Sequence, residues 1–219
     1  MSAGTGKAAG KQGPSHDWAD YYARTANRPP RSTLRFALRR FEVDWRDGSK
    51  PPAPLAIDLG CGGGRDTLEL LRRGWRVLAV DAEPQAIAAL EASAAPLDAS
   101  ALTARTGRFE DVALPAATLI NSSFALPLCR PAAFRQLWAR IVEALEPGGR
   151  FSGQFYGNRD GWAAPGSGKT GITFLSKAEA TALLADLTVE RFIEEEADAE
   201  RPVGKTKRWH IYHVVARKP

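Results

Sequence analysis

The residues with the clearest chemical potential are Asp58-Leu59-Gly60-Cys61-Gly62-Gly63-Gly64 and, 21 residues after Gly60, Asp81. Glycine is required where a backbone turns sharply and lets a ligand approach closely. A glycine loop that opens into a helix also presents free N–H groups to a negative ligand group. The dinucleotide fingerprint G-x-G-x-x-G needs a further glycine at 65 or 67, and the chain has Arg65 and Thr67 there. The pattern present is D-x-G-x-G-x-G, with an acid two residues ahead of the first glycine. At the end of a following strand, Asp81 is placed to accept hydrogen bonds from two ribose hydroxyls. Its competing role is to cap the helix that begins near Pro84.

Those residues need elements to hold them. Residues 1–14 lack periodicity and read as a disordered tail. Ser15 or Asp17 can cap a short helix carrying Trp18, Tyr21 and Tyr22, ended by Pro29-Pro30. A second helix is expected over 31–42. Strands are expected at 55–59, 75–80, 101–106, 116–121 and 150–156, with helices at 65–73, 85–94 and 131–146, the last closed by Pro147-Gly148-Gly149. Ser176 with Glu179 starts a helix over 176–187, and 188–196 with 207–216 form a terminal hairpin. Alternating strands and helices mean a doubly wound, mostly parallel sheet between helical layers, made mixed by the antiparallel C-terminal hairpin. One domain is expected over 15–219, with a helical cap at 15–46 and a core at 55–219.

These motifs resemble those of the class I S-adenosylmethionine (SAM)-dependent methyltransferases, which implies a Rossmann-like three-layer α/β/α fold and SAM as methyl donor, leaving S-adenosylhomocysteine. The resemblance assigns cofactor binding to Asp58, Gly60, Cys61, Gly62 and Gly64 of the loop, with an acid there balancing the donor's ammonium group. It assigns Asp81 and Ala82 to the ribose and Phe109 and Glu110 to the adenine, in the stretch where Gly107-Arg108 replaces the family's small acidic pair. Asn121, in Asn121-Ser122-Ser123-Phe124, lies beside the sulfonium, and Tyr22 reaches over from the N-terminal helix. Glu146-Pro147-Gly148-Gly149 resembles the family's turn before strand five. The C-terminal pattern, from Gly171-Ile172-Thr173-Phe174 to Val214-Val215-Ala216, is similar to tellurite-resistance-type small-molecule methyltransferases. No catalytic residue is implied, because a sulfonium methyl needs no protein nucleophile; substrate-side candidates are Tyr22, Phe124, Arg159, Trp162 and His210.

Composition narrows the rest. Hydrophobic residues make 44% and charged residues 25% of 219, enough for a buried core. No run of 18 apolar residues occurs, so no transmembrane helix is expected, and no secretory stretch opens the chain. Two dispersed cysteines and three histidines give no metal-site spacing and fit a cytoplasmic protein. The net charge of +5 is spread out; its densest set, Arg31, Arg35, Arg39 and Arg40, reads as a solvated helix stripe. The expected partner is therefore a small molecule rather than nucleic acid or membrane, with the chain a monomer or homodimer. Alternatives are a nucleic-acid or protein methyltransferase and a SAM-binding protein without turnover. Ala163–Thr170 resembles a phosphate-binding P-loop but lacks a strand before it and a helix after it.

Overall fold

A computed structural model describes residues 28–200 and 206–219. The expected tail and the helix bearing Trp18, Tyr21 and Tyr22 lie outside the described residues. The first described helix is α1 (Ser32–Asp44). It is followed by β1 (Leu55–Leu59), α2 (Arg65–Arg72), β2 (Arg76–Asp81), α3 (Pro84–Ala94), β3 (Leu102–Thr106) and β4 (Ala117–Ser122). The second half comprises α4 (Pro131–Ala144), β5 (Leu145–Gly157), β6 (Phe174–Leu175), α5 (Lys177–Leu183), β7 (Thr188–Glu200) and β8 (Thr206–Arg217).

The strands form one mixed sheet in the order β3-β2-β1-β4-β5-β8-β7, with β6 added beside β5. Strands β1 to β5 run parallel, and β8 pairs antiparallel with both β5 and β7. In β1, β2 and β4 nearly every residue is buried, as expected of inner parallel strands covered on both faces. Helices α1, α2 and α3 cover one face through Leu34, Leu38, Phe41, Leu70, Ile87 and Leu90. Helices α4 and α5 cover the other, where Trp138 packs edge-on against Phe151 and Phe155 and donates its indole N–H to the Leu183 carbonyl. The layers are thus α/β/α, with the mixed, mostly parallel sheet anticipated from sequence.

Two helix boundaries differ from expectation. Helix α4 ends at Ala144, because Leu145 already pairs with Ala117 and the Pro147-Gly148-Gly149 turn becomes an irregularity inside β5. Helix α5 stops at Leu183, though its Ser176/Glu179 capping box is present. As expected, the P-loop-like stretch runs into extended structure, β6, and no helix opens there.

The arginine stripe is not uniformly solvated. Arg35 and Arg39 are exposed, but Arg40 pairs with Glu190 and the Arg31 guanidinium lies 4.3 Å over the Phe124 ring. A fully buried arginine, Arg150 of β5, joins three elements: its guanidinium binds Glu190 of β7 (2.7 Å), Asp44 at the end of α1 (2.6 Å), and stacks 4.4 Å over Phe41. Among the described residues no helix is long and apolar enough to cross a membrane.

Candidate functional site

The chain runs from β1 outward to β2 and β3, then returns to place β4 on the other side of β1. A reversal of that kind leaves a crevice at the carboxyl ends of the two central strands. A cleft of about 250 Å³ lies there, lined by the 58–66 stretch, by Asp81 and Ala82, by Arg108-Phe109-Glu110 and by Ser123-Phe124-Ala125.

The glycine loop is built for close approach. Gly60 has φ +73°, and a Cβ on it would stand 2.1 Å from the Cβ of Ala125, so the loop and the segment after β4 touch only because that side chain is missing. The N–H groups of Gly60 and Cys61 both donate to the Val80 carbonyl, Gly64 N–H donates to the Cys61 carbonyl, and Gly62 N–H donates to Asp81 Oδ2 at 2.8 Å. Most of the loop's donors are therefore spent within the protein, contrary to the simple expectation that they face an anion. Gly64 serves packing, since a Cβ there would strike Leu90 of α3 at 2.4 Å. Asp81 also accepts the Glu83 N–H through Oδ1 at 3.0 Å, so its cap-like role before α3 coexists with a place in the cleft wall.

Two buried acids meet at the cleft floor. Asp58 accepts the Thr67 hydroxyl (2.6 Å) and the Asn121 amide (2.9 Å). Asp66, in the first turn of α2, accepts the Ser123 hydroxyl (2.6 Å), the Arg31 N–H (3.0 Å), the Arg65 Nε–H (3.2 Å) and the same Asn121 amide (3.3 Å). Ser152 donates to the Asn121 carbonyl oxygen, which fixes the orientation of the amide. Burial, then the neighbouring Asp66 charge, raise the Asp58 carboxyl to about 7. Burial and the charges of Asp58 and Asp81 push the Cys61 thiol far up, so it stays protonated and is no nucleophile. At the far end, Glu110 pairs through Oε1 with Arg108 (2.7 Å) and Arg130 (3.4 Å). Its Oε2 is buried and meets no hydrogen-bond partner among the described residues.

Of the residues singled out in sequence, Asp58, Gly60, Cys61, Gly62, Asp81, Ala82, Phe109, Glu110 and Phe124 are brought together around the cleft. Asn121 is wholly buried behind it and acts by bridging the two acids. His210 is fully buried: Nδ1 accepts the Arg159 N–H and Nε2 meets Glu194, which fixes one tautomer and engages both nitrogens. Arg159 points to Glu194 and Glu196 on the hairpin surface and does not line the cleft. Trp162 packs among Tyr156 and Trp209. Tyr22 lies outside the described residues. Arg65, Asp66 and Ser123 were not found by sequence reasoning. An acid in a helix's first turn ordinarily reads as dipole stabilisation, and nothing local tells of the 57-residue jump to Ser123.

Residues 56–149 match the profile of a family described as a methyltransferase domain. That stretch, under half of the chain, is similar to a methyltransferase domain. A curated relative, an uncharacterized methyltransferase of Synechocystis sp., is 30% identical over 103 residues, 46% of this chain and 46% of the relative; the match thus spans less than half the length of that relative. In fold, the chain is similar to TehB from Haemophilus influenzae, with a TM-score of 0.65 and 18% identity over 92% of this chain and 67% of that one. It is also similar to the 1,6-didemethyltoxoflavin-N1-methyltransferase of Burkholderia thailandensis, whose structure holds 1,6-didemethyltoxoflavin and S-adenosylhomocysteine; there the TM-score is 0.61 and the identity 20%, over 95% and 93% of the two chains.

Proposed function

We propose that this chain transfers a methyl group from SAM to a small-molecule acceptor, with residues 15–219 acting as one catalytic unit. The observation that carries the reading is the row of acids along the cleft: Asp58 and Asp66 at its floor, Asp81 at the end of β2, and Glu110 beyond β3. That order suits a ligand with an ammonium group at one end, a ribose in the middle and an amino-substituted ring at the other. The chemistry of the Glu110 end agrees, since a buried carboxylate oxygen lacking a donor suits an exocyclic amino group.

SAM bound there supplies a methyl already activated by sulfonium charge. The work left to the chain is binding, orientation and exclusion of water. In this reading the Asp58/Asp66 pair balances the ammonium group, and Arg65, 15% exposed at its side chain and held by Asp66, faces the carboxylate. Asp81 accepts the ribose hydroxyls, and its bond to Gly62 N–H keeps it rigid. Phe109 borders the ring. Aligning an acceptor in this way can supply about 7–11 kcal/mol of the barrier. The likeness to relatives that methylate small molecules supports a small acceptor.

The test is calorimetric titration of the protein with SAM, together with S-adenosylhomocysteine release over an acceptor panel. Asp81→Ala should weaken SAM binding about 10–100-fold, the worth of hydrogen bonds to a charged group. Affinity unchanged in that variant would remove the ribose assignment. Tight SAM binding with no product on any acceptor would favour a binder without turnover.

A further inference from the structure

Phe124, which lines the cleft, has φ +59°, a left-handed backbone that a bulky residue seldom adopts. Strain of that kind persists only where the surroundings over-determine it. Three contacts pin the short segment around Phe124. Ser123 donates its hydroxyl to Asp66 Oδ2 at 2.6 Å, and the Phe124 N–H donates to Gln154 Oε1 at 2.8 Å. Ala125 fills the space that a Gly60 side chain would take. Asp66 and Gln154 are 3% and 1% exposed, so bulk water does not compete for either bond.

The two partners of this segment are joined to each other through α1. Gln154 donates from Nε2 to the Thr33 hydroxyl at 3.0 Å, and Thr33 is fully buried in the first turn of α1. Two residues earlier, the Arg31 N–H donates to Asp66 Oδ1 at 3.0 Å. These bonds close a ring. It runs from Asp66 to Ser123, along the chain to Phe124, across to Gln154 and Thr33, and back through Arg31 to Asp66. Its members come from α2, the turn after β4, β5 and the start of α1. Asp66, Ser123 and Phe124 line the cleft, whereas Arg31, Thr33 and Gln154 do not. Helix α1 thus reaches the cleft floor without supplying a residue to its surface. A closed ring of buried bonds is more sensitive than a row of separate ones, because a break at one bond frees the partners on both sides. With the Gln154 amide gone, the strain at Phe124 is unopposed, and the segment relaxes toward a commoner φ. Ser123 then draws away from Asp66, the carboxylate that meets the donor's ammonium group in the reading above. No hydrogen bond of the ring reaches Phe109 or Glu110 at the other end of the cleft.

Resting on that SAM reading, we propose that Gln154 and Thr33 are positioning residues for the amino-acid half of the methyl donor. They act through Phe124 and Asp66, and they couple donor binding to the seating of α1 on the sheet. Such a coupling works in both directions. A donor held at Asp66 secures the start of α1, and a well-seated α1 tightens the hold on the donor. The adenosine half, bound at Asp81 and Glu110, lies outside the ring and is indifferent to it.

The experiment uses the full chain and two ligands. S-adenosylhomocysteine carries both halves, and 5′-methylthioadenosine keeps the adenosine half but lacks the amino acid. In calorimetric titration, Gln154→Leu should weaken S-adenosylhomocysteine about tenfold, the worth of one or two hydrogen bonds, and hold 5′-methylthioadenosine within about twofold of wild type. Thr33→Val should weaken S-adenosylhomocysteine about threefold, and Thr33→Ser, which keeps the hydroxyl, should bind like the wild type. In hydrogen exchange, S-adenosylhomocysteine should slow the amides of α1 in the wild-type protein and not in Gln154→Leu. Equal weakening of both ligands by Gln154→Leu would mean a general loosening of the fold and overturns the proposal. So does an unchanged affinity for S-adenosylhomocysteine in that variant, or no effect of the ligand on α1. Should Gln154→Leu fail to fold, the Thr33 pair decides: Val and Ser variants that bind alike overturn the proposal, and loss in Val with recovery in Ser upholds it. Failure of the wild-type protein to bind S-adenosylhomocysteine would instead sink the methyl-donor reading itself.

Discussion

Asp58 is the residue whose environment most sets it apart. Burial, then the Asp66 carboxylate, hold its pKa at about 7, against 3.8 for an ordinary aspartate. A carboxyl raised in the fold adds stability that is complete below its unfolded pKa and is lost as pH climbs through the folded one. The ligand-free protein should therefore lose a contribution to stability as pH rises through about 7. Asp58→Asn keeps the shape and removes the titration, so its melting temperature relative to wild type should climb between about pH 5 and pH 8. A difference independent of pH would show that Asp58 does not carry a buried proton. The neighbouring Asn121 illustrates what a sequence conceals at this scale. As part of Asn121-Ser122-Ser123-Phe124 it reads as a contact to the sulfonium, yet its amide is fastened to Asp58, Asp66 and Ser152. Its three partners come from β1, α2 and β5, and only sheet adjacency brings them together.

Among the elements, the inner strands were the most legible. A short run such as Leu55–Leu59, apolar but for Asp58, reads as a strand buried on both faces. The glycine loop was legible for a different reason, since Gly60, Gly62 and Gly64 take a positive φ that other residues seldom adopt. The junction of α4 and β5 was not, because the early start of β5 depends on the pairing of Leu145 with Ala117. The C-terminal hairpin was legible as a hairpin. That its last strand would dock against β5, leaving β7 at the edge, was not written in its pattern. That docking alone sets Trp209 and Lys207 beside Tyr156 and Trp162. Helix α5 offers a local test. Ser176 accepts the Glu179 N–H while the Glu179 carboxylate takes the Ser176 N–H. Ser176→Ala should cost about 1 kcal/mol, and lower the melting temperature by about 2–4 °C. No shift in a thermal melt would mean the cap contributes nothing.

At the scale of the molecule, Arg150 ties the first described helix to the last strands. Its side chain is fully buried, and Glu190 is nearly so. Removing one partner of a buried ion pair leaves an uncompensated charge, at a cost of about 3–5 kcal/mol. Arg150→Met should lower the urea midpoint accordingly, and Arg150→Met with Glu190→Gln should recover part of the loss. A single variant as stable as wild type would mean that α1 is held by its apolar face alone.

The same tie bears on how the chain folds. Arg150 reaches 106 residues back to Asp44, and Gln154 reaches 121 back to Thr33. Arg40 and Glu190 stand 150 apart. Contacts so distant in sequence are slow to form, because a long loop must close before they return any free energy. Synthesis runs from the N-terminus, so α1 leaves the ribosome well before β5, β7 and β8 exist. Its apolar stripe of Leu34, Ala37, Leu38 and Phe41 is only partly covered, by Trp75 and its neighbours, until the far end of the chain is made. Through that interval part of the stripe stays uncovered, so slower synthesis at lower temperature should raise the yield of folded protein.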